Sequence, residues 1–258
     1  MRSLLALIPA ICLAATTATS SPNDCPAATS DVTVISDAKF YIEDNAADGD
    51  IGVHGFFGDD SWNTLCVFAP DGSVLLNVTP DGPIGELGLS GFFFESHEPP
   101  YAEYEYSDLV ADFAEGDYLV RAVTPDGETL EGIARFSTVV ALAPTILTPA
   151  STMDEDGELP VTPLADTRVS WTPVTDSRDG RPVTIAGYQV ILVNESWKGS
   201  TDTFAQPIFD VRVGSDRTEL IVPRGFFDAG AVYEIEVLAI EESGNQTIAG
   251  ASFFRVAG

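Results

Sequence analysis

The sequence predicts an all-β protein of two tandem β-sandwiches behind an N-terminal leader, and three observations carry that reading. First, Tyr233, Ile235, Val237 and Ala239 alternate with Glu234, Glu236 and Leu238, the two-residue period of a strand with one buried and one mostly wet face. Second, Pro70-Asp71-Gly72, Pro80-Asp81-Gly82 and Pro125-Asp126-Gly127 repeat one turn chemistry: proline presets the first turn angle, aspartate bonds its own backbone and glycine takes a positive φ. Third, Phe113-Ala-Glu-Gly116-Asp-Tyr118-Leu-Val120 in the first half matches Phe227-Asp-Ala-Gly230-Ala-Val-Tyr233-Glu-Ile235 in the second, with one residue fewer before the tyrosine.

The chain has 258 residues, room for two domains of ordinary size. Arg2, the apolar stretch Leu4 to Ala15 and the small residues up to Ser20 read as a secretory signal peptide over 1–20, too short in its apolar part to span a bilayer. Cys12 is not read as a lipidation site, because Ile11 precedes it where a small residue belongs. Cys25 and Cys66 then remain for an oxidising compartment, and one disulfide between them is expected. It would close a loop of about 40 residues and stabilise the fold by about 4 kcal/mol on the chain-entropy estimate.

The first half, 21–140, reads as strands at Val32–Ser36, Lys39–Ile42, Ile51–Phe57, Leu65–Phe68, Val74–Val78, Tyr118–Thr124 and Thr129–Phe136, joined by turns of which the three Pro-Asp-Gly segments are expected hairpin or strand connections. One short helix at most is expected, capped by Ser107 with Leu109, Val110 and Phe113 on its buried face. The halves divide near Val140 to Pro144. Beyond it, Ser151 to Pro160 reads as an acidic loop inside the second domain.

In 141–258 the core residues keep a fixed order: Val169 and Trp171, Tyr188 and Val190, Leu220 and Val222, then Gly230 and Tyr233. This half resembles a fibronectin type III domain. The resemblance implies a sandwich with Trp171 as the largest core filler, worth on the order of 5 kcal/mol over roughly 200 Å² buried, and a tyrosine corner at Tyr233, whose hydroxyl satisfies a backbone group of the preceding loop. The internal match extends the expectation to the first half, an immunoglobulin-like sandwich with Tyr118 as the counterpart of Tyr233. Folds of this kind host unrelated functions, so chemistry has to be argued from sites.

Forty acidic residues face 12 basic ones, a formal charge of −28. That field repels phosphate backbones and anionic membrane surfaces, so nucleic acid is not an expected partner; no transmembrane segment is read in the mature chain, because no apolar stretch after the leader approaches spanning length. Cations, cationic proteins and neutral glycans fit. The charge also predicts stabilisation by added salt.

Only His54 and His97 could serve as an imidazole base. His54 reads as an ordinary strand residue, and Glu95-Ser96-His97-Glu98, broken by Pro99 and Pro100, as a solvated loop without a metal-binding helix. No catalytic residue is assigned. The best metal candidate is the carboxylate-rich stretch holding Asp44, Asp48 and Asp50, which could offer oxygen ligands to calcium; it lacks the spacing and closing glutamate of the twelve-residue calcium loop, and a solvated turn is the preferred reading. Tyr101, Tyr104 and Tyr106, interleaved with acids, are the candidate ligand-binding surface, with Tyr104 and Tyr106 on one face of an extended strand; core filling beneath a long connection is preferred. Asn77, Asn194 and Asn245 head sequons that matter only in a eukaryotic secretory pathway, and the composition looks bacterial. The resulting expectation is a secreted or periplasmic, non-catalytic binding or surface-interaction protein without cofactor, calcium aside, whose partner is a protein or glycan at the cell surface or in the medium. Its alternatives are a carboxylate-based hydrolase or accessory subunit of one, and a structural spacer of an envelope assembly.

Overall fold

The structure, a computed structural model, describes residues 25–149, 157–199, 206–249 and 252–258. The leader, Cys12 and the acidic segment 151–156 lie outside these residues.

In the first half, β1 (Thr33–Val34), β8 (Thr129–Phe136), β7 (Gly116–Val123), β4 (Thr64–Phe68) and β5 (Val74–Val78) form a five-stranded sheet in that order. It faces β2 (Asp37–Asn45), β3 (Asp50–Trp62) and β6 (Leu89–Glu95) across an apolar core running from Ile35 to Val140. Phe40 sits at its middle, with ring centroids 4.7 Å from Phe136, 4.9 Å from Tyr118 and 5.8 Å from Phe113. Cys25 and Cys66 are bonded, tying the start of the described chain to β4.

The second half places β9 (Ile146–Thr148), β11 (Thr167–Trp171) and β14 (Glu219–Val222) on one side. On the other lie β10 (Val161–Thr162), β12 (Ile185–Asn194), β13 (Ile208–Gly214), β15 (Val232–Glu241) and β17 (Ser252–Val256). This is the sandwich that the fibronectin type III resemblance implied, and its separate core begins at Ala141. Trp171 and Tyr233 are both buried within it.

Both tyrosine corners form. The Tyr118 hydroxyl donates to Ala114 O at 3.0 Å. The Tyr233 hydroxyl accepts from Asp228 N at 2.8 Å and lies 3.4 Å from Phe226 O, and Gly230 takes the positive φ (76°) that turns the chain into β15. The cross-strand register differs between the halves: Tyr118 opposes Ala134, whereas Tyr233 opposes Phe254. The strands that follow also match residue by residue, Thr129-Leu-Glu-Gly132-Ile-Ala134-Arg-Phe136 with Thr247-Ile-Ala-Gly250-Ala-Ser252-Phe-Phe254, so that Ala134 aligns with Ser252 and Phe136 with Phe254, and the register has slipped by two. An even slip keeps the same face inward, which is why the core tolerates it.

Several local expectations are corrected, among them that of one short helix at most, since two α-helices form. Pro80-Asp81-Gly82 starts a helix, α1 (Gly82–Leu87), with Asp81 as N-cap accepting from Gly82 N at 2.7 Å, and is not a hairpin turn. A second helix, α2 (Tyr106–Asp112), is capped by Glu105 and not by Ser107, and the Asp108 carboxylate closes the box on Glu105 N at 2.9 Å. Leu109 is its buried residue, while Val110 is exposed. Tyr106 therefore opens a helix and does not share a strand face with Tyr104.

The sandwiches meet through hydrogen-bonded backbone. After β15, the strand β16 (Gln246–Ile248) pairs with β15 on one side and, parallel, with Glu43 to Asn45 of β2 on the other. One nine-stranded sheet thus crosses the seam. Asn245, at the start of this bridge, is 1% exposed. Its Oδ1 accepts from Ile42 N at 2.7 Å, and its Nδ2 donates to Ser137 O and Val139 O at 2.8 and 2.7 Å.

Candidate functional site with a buried histidine between two carboxylates

On β2, Tyr41 and Glu43 point outward while Phe40, Ile42 and Asp44 are buried. Antiparallel pairing sets Tyr41 opposite His54 and Glu43 opposite Gly52, so Glu43 and His54 are diagonal neighbours on the outer face. Beyond β6 the chain is pinned by two bonds of 3.0 Å, Ser96 N to Val53 O and Val53 N to Ser96 Oγ. That returns Glu98 over β3. Gly52 provides the space: a Cβ there would lie 2.7 Å from Glu98 Cγ and 2.6 Å from Ser96 Oγ.

The result is an imidazole held between two carboxylates. His54 is 3% exposed, its Nε2 lies 3.0 Å from Glu98 Oε1, and its Nδ1 lies 3.8 Å from Glu43 Oε2 with no hydrogen-bond partner. Tyr41 and Phe93 pack edge-on against the ring at 5.5 and 5.7 Å. Burial pushes the Glu98 carboxyl up to about 7, helped by Glu95, Asp50 and Asp48. Burial raises Glu43 as well, against the opposing pull of His54 and of the Gln246 side chain that bonds it. Among the described residues this is the one set of three such side chains whose ligand atoms lie within 4.8 Å of one another.

Alongside lies a groove of about 730 Å³, lined in part by Tyr41, Phe56, Phe93, Lys39, Arg212 and Gln246. Phe93 is half exposed and Lys39 sits over the Phe56 ring at 5.8 Å.

The residues singled out in the sequence go elsewhere. Asp44 turns into the seam, where its Oδ1 accepts from the Tyr101 hydroxyl at 2.5 Å and from Arg178 Nη1 at 2.8 Å. Asp48 accepts from Asn45 Nδ2 at 3.2 Å, and Asp50 keeps one buried oxygen without a partner. Tyr101, Tyr104 and Tyr106 all pack against the first core. Tyr101 and Tyr106 flank the Arg178 guanidinium at 4.8 and 5.7 Å, Tyr106 also donates to Thr138 O at 2.5 Å, and Tyr104 donates to Asp112 at 2.9 Å. The Asn194 and Asn245 side chains are buried and bonded, so the folded chain has no room for a glycan at either sequon.

Among the described residues no helix is long and apolar enough to cross a membrane. No family model matches the chain, and no curated protein matches it. Among solved structures it is similar to the chicken CNTN1 FN1–FN3 domains, with 12% identity over 88% of this chain and 66% of that one at a TM-score of 0.32. It is similar to the fibronectin(III)-like modules of Clostridium thermocellum CbhA, with 12% identity over 86% and 92% at a TM-score of 0.31. It is also similar to a tetra-tandem repeat from the extending region of a large adhesion protein, with 14% identity over 85% and 49% at a TM-score of 0.28. The chain thus spans just under two thirds of the chicken fragment and about half of the adhesion-protein fragment.

Proposed function

We propose that this chain is an exported, non-catalytic binding protein whose two sandwiches act as one unit and present the outer face of their shared sheet to a glycan or protein partner. The observation that carries the reading is the bridge at β16, which joins the two sandwiches into a single sheet and sets the groove beside it. Exposed rings stack on sugar faces, and guanidinium and amide groups donate to hydroxyls and carboxylates. The buried imidazole faces the carboxylates of Glu98 and Glu43, an arrangement suited to holding a cation or proton. The test is a panel of purified glycans and envelope proteins applied to the immobilised mature chain, with Phe93→Ala and Arg212→Ala as controls. Binding lost in both variants supports the reading; absence of binding to every member of the panel overturns it.

One observation favours a second reading, a carboxylate-based hydrolase: a Glu98 carboxyl pushed up to about 7 holds its proton where a general acid needs it. Turnover of glycosides that disappears in Glu98→Gln would establish that reading in place of the first.

A further inference from the structure

We propose that Glu43, His54 and Glu98 bind one divalent transition-metal ion of the zinc class, with His54 Nδ1 and Glu43 as ligands and Glu98 as the carboxylate that orients the imidazole. This goes beyond the binding-protein reading and does not depend on it.

The first reason is the unpartnered nitrogen. A neutral imidazole has one N–H and one lone pair. With Glu98 ionised, Nε2 at 3.0 Å from its Oε1 is the donor, which leaves the Nδ1 lone pair in a buried position facing the Glu43 carboxylate without a hydrogen-bond partner. Two acceptors facing each other out of water repel, and something positive between them removes the conflict. At 3.8 Å the separation is longer than an N–H···O bond. It lies within the reach of about 4.1 Å that two metal bonds of about 2.0–2.1 Å can span.

The second reason is that the arrangement is built. Gly52 leaves the space that Glu98 fills, and Ser96 fixes the return of the chain. A carboxylate on the far nitrogen of a ligating histidine is the usual device for fixing its tautomer and raising its basicity. One imidazole nitrogen with carboxylate oxygens suits zinc and its neighbours better than calcium or magnesium, which take oxygen alone. Glu43 also accepts from Gln246 of the bridging strand, so an ion here would brace the junction between the sandwiches.

The experiment uses the mature chain without an affinity tag, stripped with chelator and titrated with zinc or cobalt(II). One equivalent is expected to bind, with cobalt giving visible absorption and a hundredfold excess of zinc over Kd raising Tm by about 5–10 °C, while calcium and magnesium at equal concentration give neither. Glu43→Gln, a partly exposed site that leaves the core intact, is expected to abolish the cobalt spectrum. Glu98→Gln and Gly52→Ala should weaken binding about 10–100-fold, and His97→Ala should leave it unchanged. The proposal is overturned by a wild-type chain that takes up no equivalent, by an unaltered cobalt spectrum in Glu43→Gln, by loss of binding in His97→Ala, or by a larger thermal shift with calcium than with zinc.

Discussion

Arg178 reaches across 134 positions of chain to place its Nη1 2.8 Å from Asp44 Oδ1. The Asp44 side chain is 4% exposed and that of Arg178 27%, and Tyr101 covers the pair with both its hydroxyl and its ring. Burial pushes the Asp44 carboxyl up, against the pull of Tyr101 and Arg178. Removing the cation alone leaves a buried charge with one remaining donor. Arg178→Met should therefore destabilise the chain by about 2–4 kcal/mol, and Asp44→Asn, which removes the charge but keeps a polar partner for Tyr101, by less. Urea denaturation of both variants checks the order; equal losses would show that desolvation of Asp44 is not what the guanidinium offsets.

Asn245 gives the sharper test of the seam. Its side chain satisfies one backbone N–H and two backbone carbonyls that belong to two separate stretches of the first half, β2 and the segment after β8. Asn245→Ala orphans all three, and at about 1 kcal/mol or more for each buried group the loss should reach about 3 kcal/mol. Asn245→Asp keeps the acceptor but aims a carboxylate oxygen at Ser137 O and Val139 O, so it should cost at least as much. If the seam is what couples the halves, both variants should also show non-coincident unfolding by near-UV and far-UV dichroism.

The tyrosine corners are unequal. The Tyr233 hydroxyl meets Asp228 N and Asn194 Nδ2 in addition to Phe226 O, whereas the Tyr118 hydroxyl has the single acceptor Ala114 O. Tyr233→Phe should cost about 2 kcal/mol and Tyr118→Phe about 1 kcal/mol. Thermal melts of the two variants read the difference directly.

These contrasts also mark where the sequence was legible. Alternation gave β15, β7 and β8 because one face of each is apolar and the other polar, and the repeated corner identified the pair of sandwiches. It missed β6, where Phe92, Phe93 and Phe94 break the alternation: Phe93 lies on the outer face beside His54 and so is apolar for a reason unrelated to the core. The calcium candidate was drawn from chain proximity. Asp44, Asp48 and Asp50 are close in sequence, but neighbouring strand residues face opposite ways, so Asp44 enters the seam while Glu43 meets His54. Finding Glu43, His54 and Glu98 required the β2–β3 register and the return of the chain over Gly52, both set by long-range pairing that no local pattern encodes.

The disulfide ties Cys25, in a stretch without regular structure, to the fully buried Cys66 of β4, while Arg121 holds the neighbouring Pro26 O at 3.2 Å. Because the bond closes a long loop and the rest of the core does not need Cys25, reduction should lower stability by about 2–4 kcal/mol without unfolding the chain. Urea denaturation with and without reductant measures it, and loss of the cooperative transition on reduction would refute the claim that the core stands without this tie.

Stability should peak in mild acid, because two sets of carboxyls pull in opposite directions. Glu98 is pushed from an ordinary value near 4.5 to about 7, and Glu43, Asp44, Glu234 and Glu236 are raised by burial too. In that window the folded chain binds more protons than the unfolded one, so stability is greatest below about 4.5 and is lost as pH rises towards 7. Asp179 works the other way: although partial burial opposes it, bonds from the Arg181 backbone and side chain and from Ser177 lower its carboxyl to about 2, and that contribution is present above about 3.8 and lost as pH falls. Repulsion within a chain of charge −28 reinforces the loss at high pH. Midpoints of urea denaturation from pH 3 to 8 should therefore rise and then fall, with a maximum near pH 4–5, and Glu98→Gln should flatten the descending limb between pH 5 and 7. A curve that climbs steadily to pH 8 would mean that these carboxyls ionise as freely in the folded chain as in the unfolded one, and that burial on the outer face of the shared sheet is much looser than the packing around His54 indicates.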